Sequence, residues 1–103
     1  MPLPVQLKKA IDALLNQPGE TAPLLRRAIL ERTRSGAGQV PGVLRELVDK
    51  VADRPWTVTD EDFARLRAAG YSEGQLYELT LACALGAGLE RFEAGLRALE
   101  EAS

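Results

Sequence analysis

The long helical pattern that runs from Ser72 towards Ala102 constrains this chain more than any other stretch of it. Ser72 followed three residues later by Gln75 is a capping box, in which each side chain satisfies an orphan backbone N–H at a helix start. Beyond it Leu76, Leu79, Thr80, Cys83 and Ala87, then Leu89, Phe92, Leu96 and Leu99, keep an apolar stripe at helical spacing. Gly86, Gly88 and Gly95 each weaken an exposed helix by about 1 kcal/mol relative to alanine. Ala82 and Gly86, and Ala84 and Gly88, stand at i and i+4, a spacing that lets a second helix approach closely. The expectation is one long helix whose glycine waist, Gly86 and Gly88, touches another helix. A kink near Gly86–Gly88 is the alternative. The nearly apolar run Leu79 to Leu89 is too short to cross a bilayer.

The segment ahead of this helix is a second capped element. Thr59 before Asp60-Glu61-Asp62 reads as an N-cap whose hydroxyl accepts from a backbone N–H, and the three carboxylates favour the positive end of the helix dipole. Phe63, Leu66 and Ala69 form its inner face. Gly70 stops it, because glycine tolerates the left-handed C′ position. A tight corner at Ala69–Ser72 follows, with Tyr71 packing as a staple.

Upstream, Leu3 to Asn16 reads as a helix with Leu7, Ile11, Leu14 and Leu15 on one side and Lys8, Lys9 and Asp12 on the other. Pro18-Gly19 ends it. Thr21 reads as the cap of a second helix with Pro23 in its first turn and Leu25, Ala28 and Ile29 facing inward. Ser35-Gly36-Ala37-Gly38 is the most flexible point, read as a connector or as a loop free to move. Pro41 begins a third helix with Val43, Leu44, Leu47, Val48 and Val51 on its apolar face, and Asp53-Arg54-Pro55-Trp56 ends it. No segment has a convincing period of two. The reading is all-α, a single domain over residues 1–103: three N-terminal helices in 1–55, then the capped corner and long C-terminal helix in 56–103.

Charge is unevenly divided. Residues 1–55 carry nine Lys/Arg against six Asp/Glu, and residues 56–103 carry four against nine, giving the net charge of −2. The basic excess centres on Arg26, Arg27, Arg32 and Arg34. A nucleic-acid surface needs a strongly basic face with stacking aromatics, so these arginines read as a solvated helix face and no nucleic-acid partner is expected. Met1-Pro2-Leu3-Pro4 lacks a basic start and a long apolar stretch, so no signal peptide and no membrane span are expected. One cysteine excludes an internal disulfide, which fits a reducing cytoplasm.

The missing residues are informative about chemistry. There is no histidine, so no histidine base, no histidine metal ligand and no Ser-His-Asp triad lies within one chain. One cysteine and no histidine exclude the usual zinc sets. The carboxylate pairs Glu90/Glu93 and Glu46/Asp49 stand at i and i+3, a metal-binding spacing in bundles, but their neighbours place them outward. No metal and no cofactor are expected. Cys83 reads as a small buried hydrophobe; as a reactive thiol it needs a helix N-terminus or a cation beside it. Since a missing Cβ leaves room for a ligand, the waist is the candidate binding pocket, lined by Tyr77, Leu81, Cys83, Gly86 and Phe92.

Val58-Thr59-Asp60-Glu61-Asp62, Leu66-Arg67-Ala68-Ala69-Gly70, Tyr71-Ser72-Glu73-Gly74-Gln75-Leu76 and the helix Glu78–Leu99 with its Arg91 resemble the alkylhydroperoxidase D-like and carboxymuconolactone decarboxylase superfamily. The resemblance covers residues 56–99; residues 1–55 match only as generic helices. It implies a helical fold that assembles through its helices. The peroxidase members use Cys-x-x-Cys-x-x-x-His with a supporting glutamate, one thiolate attacking the peroxide and the other resolving the sulfenic acid. Laid on Cys83, that motif puts Gly86 and Glu90 where the second cysteine and the histidine belong. The decarboxylases of the superfamily are expected to use a histidine, absent here. The resemblance therefore implies a non-redox member: a helical homo-oligomer, a small-ligand binder or the accessory subunit of an enzyme. A thiol-dependent peroxidase, or another enzyme using Cys83 or residues of a partner chain, is the alternative.

Overall fold

The computed structural model describes residues 4–102, and every regular element among them is helical. The helices are α1 (Val5–Asn16), α2 (Pro23–Ser35), α3 (Gly42–Asp53), α4 (Asp60–Ala68) and α5 (Glu73–Ala102), with a single 3-10 turn at Pro55–Thr57. The expected all-α architecture with a long C-terminal helix is therefore observed. Leu3, the expected first residue of the first helix, lies outside the described residues.

The local signals explain where the helices stop. α4 closes in a Schellman turn: Gly70 sits at φ 105°, its N–H donates to the Arg67 carbonyl, and the Tyr71 N–H donates to the Leu66 carbonyl. Tyr71 then packs, partly buried, against the core. Two residues on, the capping box forms: Ser72 N–H donates to Gln75 Oε1 at 2.8 Å and Gln75 N–H to Ser72 Oγ at 3.1 Å. α5 then runs as one continuous helix through Gly86, Gly88 and Gly95, so the chain does not break at the waist.

Of two expected helix starts, Thr59 capping α4 is observed and Thr21 capping α2 is not. Thr21 does not cap α2. Ala22 holds the N-cap position without a side-chain bond, and Thr21, buried, donates its hydroxyl to Glu78 on α5 at 2.7 Å. A long-range carboxylate outcompetes the local cap. At α4 the capping box is centred on Asp62, whose Oδ2 accepts from the Thr59 N–H at 2.9 Å and from the Thr59 hydroxyl at 3.3 Å.

The core lies where α5 meets α2 and α3. It consists of Ile29 from α2, Val40 from the loop after it, Leu44, Leu47 and Val48 from α3, Leu66 from α4, and Leu76, Leu79, Ala82 and Cys83 from α5. α2 and α5 lie side by side and run parallel: Thr21 meets Glu78 at one end, and Arg34 Nε meets Glu93 Oε1 at 2.7 Å at the other. The glycine at 86 makes this approach possible, because a Cβ there would collide with Thr33 Oγ1 and the Leu30 carbonyl oxygen. Position 88 is different: a Cβ at Gly88 would meet nothing within 4 Å. One half of the expected waist is a close helix contact and the other half faces outward.

The loop after α2 is packed against the bundle. A Cβ on Gly38 would strike the Ala28 carbonyl oxygen of α2, and Val40 is part of the core. These contacts fit the connector reading of Ser35–Gly38. α1 contributes no fully buried residue. It lies on α2 through half-buried Leu7, Ile11, Leu14 and Leu15, and its C-terminal carbonyls are held by Arg26, which donates to the Leu14 and Gln17 oxygens.

A second buried polar cluster joins α3 to α4. Lys50 Nζ lies 3.0 Å from Asp62 Oδ1, and Arg65 Nη2 lies 2.8 Å from the same oxygen. The Thr59 N–H, then the Lys50 ammonium and the Arg65 guanidinium, hold the Asp62 carboxyl down to about 2. An unfolded Asp titrates near 4, so the folded state gains stability above that value and loses it as pH falls from about 4 to about 2. Thermal melts of wild type and Asp62→Asn should therefore differ clearly at neutral pH and converge near pH 2. A constant difference down to pH 2 would remove the charge from this account.

Candidate functional site

Seen down the axis of α5, at 100° per residue, the residues expected to line one pocket fall on two faces. Cys83 and Gly86 face inward, fully buried against the neighbouring helices. Tyr77, Leu81 and Phe92 lie on the opposite side, 67%, 42% and 37% exposed. The five do not enclose one cavity. A spacing of four or eleven residues keeps Tyr77, Leu81 and Phe92 together, whereas Leu81 and Cys83, two apart, point in nearly opposite directions.

Cys83 has the character of a core residue. Burial pushes its thiol up to about 12, so it is protonated across the physiological range. Nucleophilic thiols need the opposite shift. Native protein should alkylate slowly with a small thiol reagent, becoming fast only in denaturant. Stoichiometric labelling of the folded state within minutes at neutral pH would contradict the buried placement.

The polar residues offer little catalytic material. A cleft of about 600 Å³ lies between the C-terminal ends of α2 and α3 and the middle of α5, bordered by Arg32, Arg34, Asp49, Asp53, Glu90 and Arg91. Its guanidinium groups are already engaged. Arg32 grips Asp49 with two bonds of 3.0 and 3.1 Å, Arg34 holds Glu93, and Arg91 donates to the Ala52 carbonyl at 3.0 Å. The rest of the basic cluster is also used internally: Arg26 is buried, and Arg27 donates to Asn16 Oδ1 at 2.9 Å. A helix-end role explains this cleft, since arginines near helix C-termini satisfy carbonyls and oppose the dipole. Among the described residues no group of three or more Cys, Asp or Glu side chains is placed to hold a metal ion. No helix of these residues is long and apolar enough to cross a membrane.

What stands out instead is the outer face of α5. Tyr77, Leu81, Gly88, Phe92, Gly95 and Leu99 all lie on it and are all exposed, Leu99 at 58%. At 1.5 Å per residue this stripe is about 33 Å long. No charged residue falls within it; Glu78 and Arg91 stand at its margins. Cβ atoms at Gly88 and Gly95 would meet nothing within 4 Å, so these glycines cost helix propensity, about 1 kcal/mol each, without an intrachain contact in return. The expected single stripe ran Phe92 and Leu99 together with the buried residues, and the structure separates them onto this outer face. Its signal was present as a heptad: Leu85, Phe92 and Leu99 seven apart, and Leu81, Gly88, Gly95 and Ala102 seven apart, the two sets offset by three and four.

No family model, curated protein or solved structure matches the chain.

Proposed function

We propose that this protein is a non-catalytic helical assembly protein that docks on a helical partner, a second copy or another subunit, through the outer face of α5. The observation that carries this reading is the uncharged, exposed apolar stripe from Tyr77 to Leu99 with two glycines whose cost nothing within the chain offsets. A 30-residue helix that buries only part of its length against its own bundle offers its remaining surface as a docking ridge. The non-redox branch of the alkylhydroperoxidase D-like superfamily is part of the same reading. It is supported by the Leu66–Leu76 corner and by the helix-mediated assembly which that resemblance implies. The buried thiol of Cys83, pushed up to about 12, weighs against the peroxidase alternative.

A photo-crosslinking amino acid placed at Phe92 or Leu99, in the cells that make the protein, tests the reading. Adducts of discrete mass are expected from these stripe positions and not from Glu90 or Arg97, exposed on other faces of the same helix. Equal crosslinking from both sets, or none from the stripe, would remove the docking function.

A further inference from the structure

The occupant of the stripe follows from the order of large and small residues along it. In the heptad frame, the a positions are Leu85, Phe92 and Leu99, all large. The d positions from residue 88 onward are Gly88, Gly95 and Ala102, all small. Two such helices pair in either of two directions. In a parallel pair, a layers meet a layers and d layers meet d layers. Phe92 would then press on Phe92 while Gly88 and Gly95 face their own copies across voids, so crowding and cavities alternate along the seam. In an antiparallel pair every a layer meets a d layer. Large residues then fill the gaps left by small ones throughout.

We propose that α5 pairs antiparallel with the α5 of a second copy, Phe92 of each seated on Gly95 of the other. This rests on the docking function proposed above and names its partner. In that register Leu85 meets the partner's Ala102, and Leu99 meets the partner's Gly88. All six layers set a large residue against a small one. A shift by one heptad towards the N-terminus also mates large with small at Phe92, but it brings the two Arg91 side chains level with each other at the seam margin. The chosen register keeps them about five residues, or 7.5 Å, apart along the axis. The seam from Leu85 to Ala102 is about 26 Å long. That is at the small end of specific interfaces, and a reversible dimer in the micromolar range is expected.

Sedimentation equilibrium of the full chain, from low micromolar to millimolar concentration, tests this with three proteins. Wild type should show a concentration-dependent monomer–dimer equilibrium. Gly95→Phe should fold, since the position is exposed and a Cβ there meets nothing within 4 Å in the monomer, and should keep its helical circular dichroism. It places phenylalanine on phenylalanine in two layers at once, so the dimer should weaken by roughly 10² or more. The exchange F92G/G95F restores large on small at both layers and should recover most of the affinity. Wild type that stays monomeric throughout overturns the proposal, as does a dimer indifferent to Gly95→Phe or one that the exchange fails to restore. Photo-adducts separate the two levels. Stripe adducts with a different chain and none at twice the protein's own mass would sink self-pairing and leave the docking function standing. An absence of stripe adducts would sink both.

Discussion

Gly86→Leu should lower the stability of the monomer by about 3 kcal/mol, or roughly 15 °C in melting temperature for a domain of this size. The direction is set by what surrounds the position. A Cβ at Gly86 collides with the Thr33 hydroxyl and with the Leu30 carbonyl oxygen of α2. The hydroxyl can rotate away, although it bonds to the Ile29 and Leu30 carbonyls at 3.1 Å. The Leu30 carbonyl is helix backbone and cannot move alone, so α2 and α5 must separate along the seam that holds most of the core. The gain in helix propensity on removing a glycine is only about 1 kcal/mol and does not offset this. Gly88→Leu is the internal control. Nothing lies within 4 Å of a Cβ there, so in dilute solution the same substitution two residues away should raise the melting temperature slightly. Gly86→Leu with an unchanged or higher melting temperature would show that α2 and α5 do not approach as described.

The second large effect is expected at Arg26. Its side chain is almost fully buried, donates to the Leu14 and Gln17 carbonyls, and lies 4.0 Å from Glu78 Oε1. Glu78 is the other half of the arrangement: it accepts from the N–H of Glu20 at 2.8 Å, from the N–H of Thr21 at 3.0 Å and from the Thr21 hydroxyl at 2.7 Å. Burial works against its charge, but these donors and the nearby guanidinium outweigh it and hold the carboxyl below its ordinary value. Arg26→Met keeps the apolar stem and deletes the charged donors. It leaves two carbonyls at the end of α1 without partners and a carboxylate beside an apolar side chain. Breaking such a buried arrangement from one side costs about 3–5 kcal/mol. α1, which buries no residue fully, should suffer first. Amide hydrogen exchange in Leu7–Asn16 should accelerate more than in α5. Uniform acceleration across the chain, or a loss below 1 kcal/mol, would mean that Arg26 does not anchor α1.

The helices and their ends were legible because their signals are local. Glycine at a left-handed C′ position, Ser72 and Gln75 three residues apart in a capping box, and proline in the first turn of α2 act within one turn of helix. Tertiary packing has little leverage on them. The readings that failed involve side chains whose partners are distant in sequence. Thr21 has the chemistry of a cap, but Glu78, fifty-seven residues away, takes its hydroxyl. The Arg26–Arg34 cluster reads as a solvated basic face because its partners, among them Asp49 and Glu93, belong to other helices. Gly86 and Gly88 are equivalent to any propensity scale; the path of α2 alone makes one a contact point and leaves the other open.

The sequence by itself determined that this is an all-α chain, where most of its helices begin and end, and that no histidine-based chemistry lies within it. Residue identity and spacing of a few positions are enough for those conclusions. The tertiary structure decided which face of α5 is spent on the core and which is left outside. α5 is apolar on both sides, so periodicity alone cannot choose between two competing stripes. The choice is made where α2 closes on Gly86 and α3 closes on Cys83. Burial on that side leaves Tyr77, Leu81, Phe92 and Leu99 on the surface, where docking rather than chemistry is the use that physical reasoning supports.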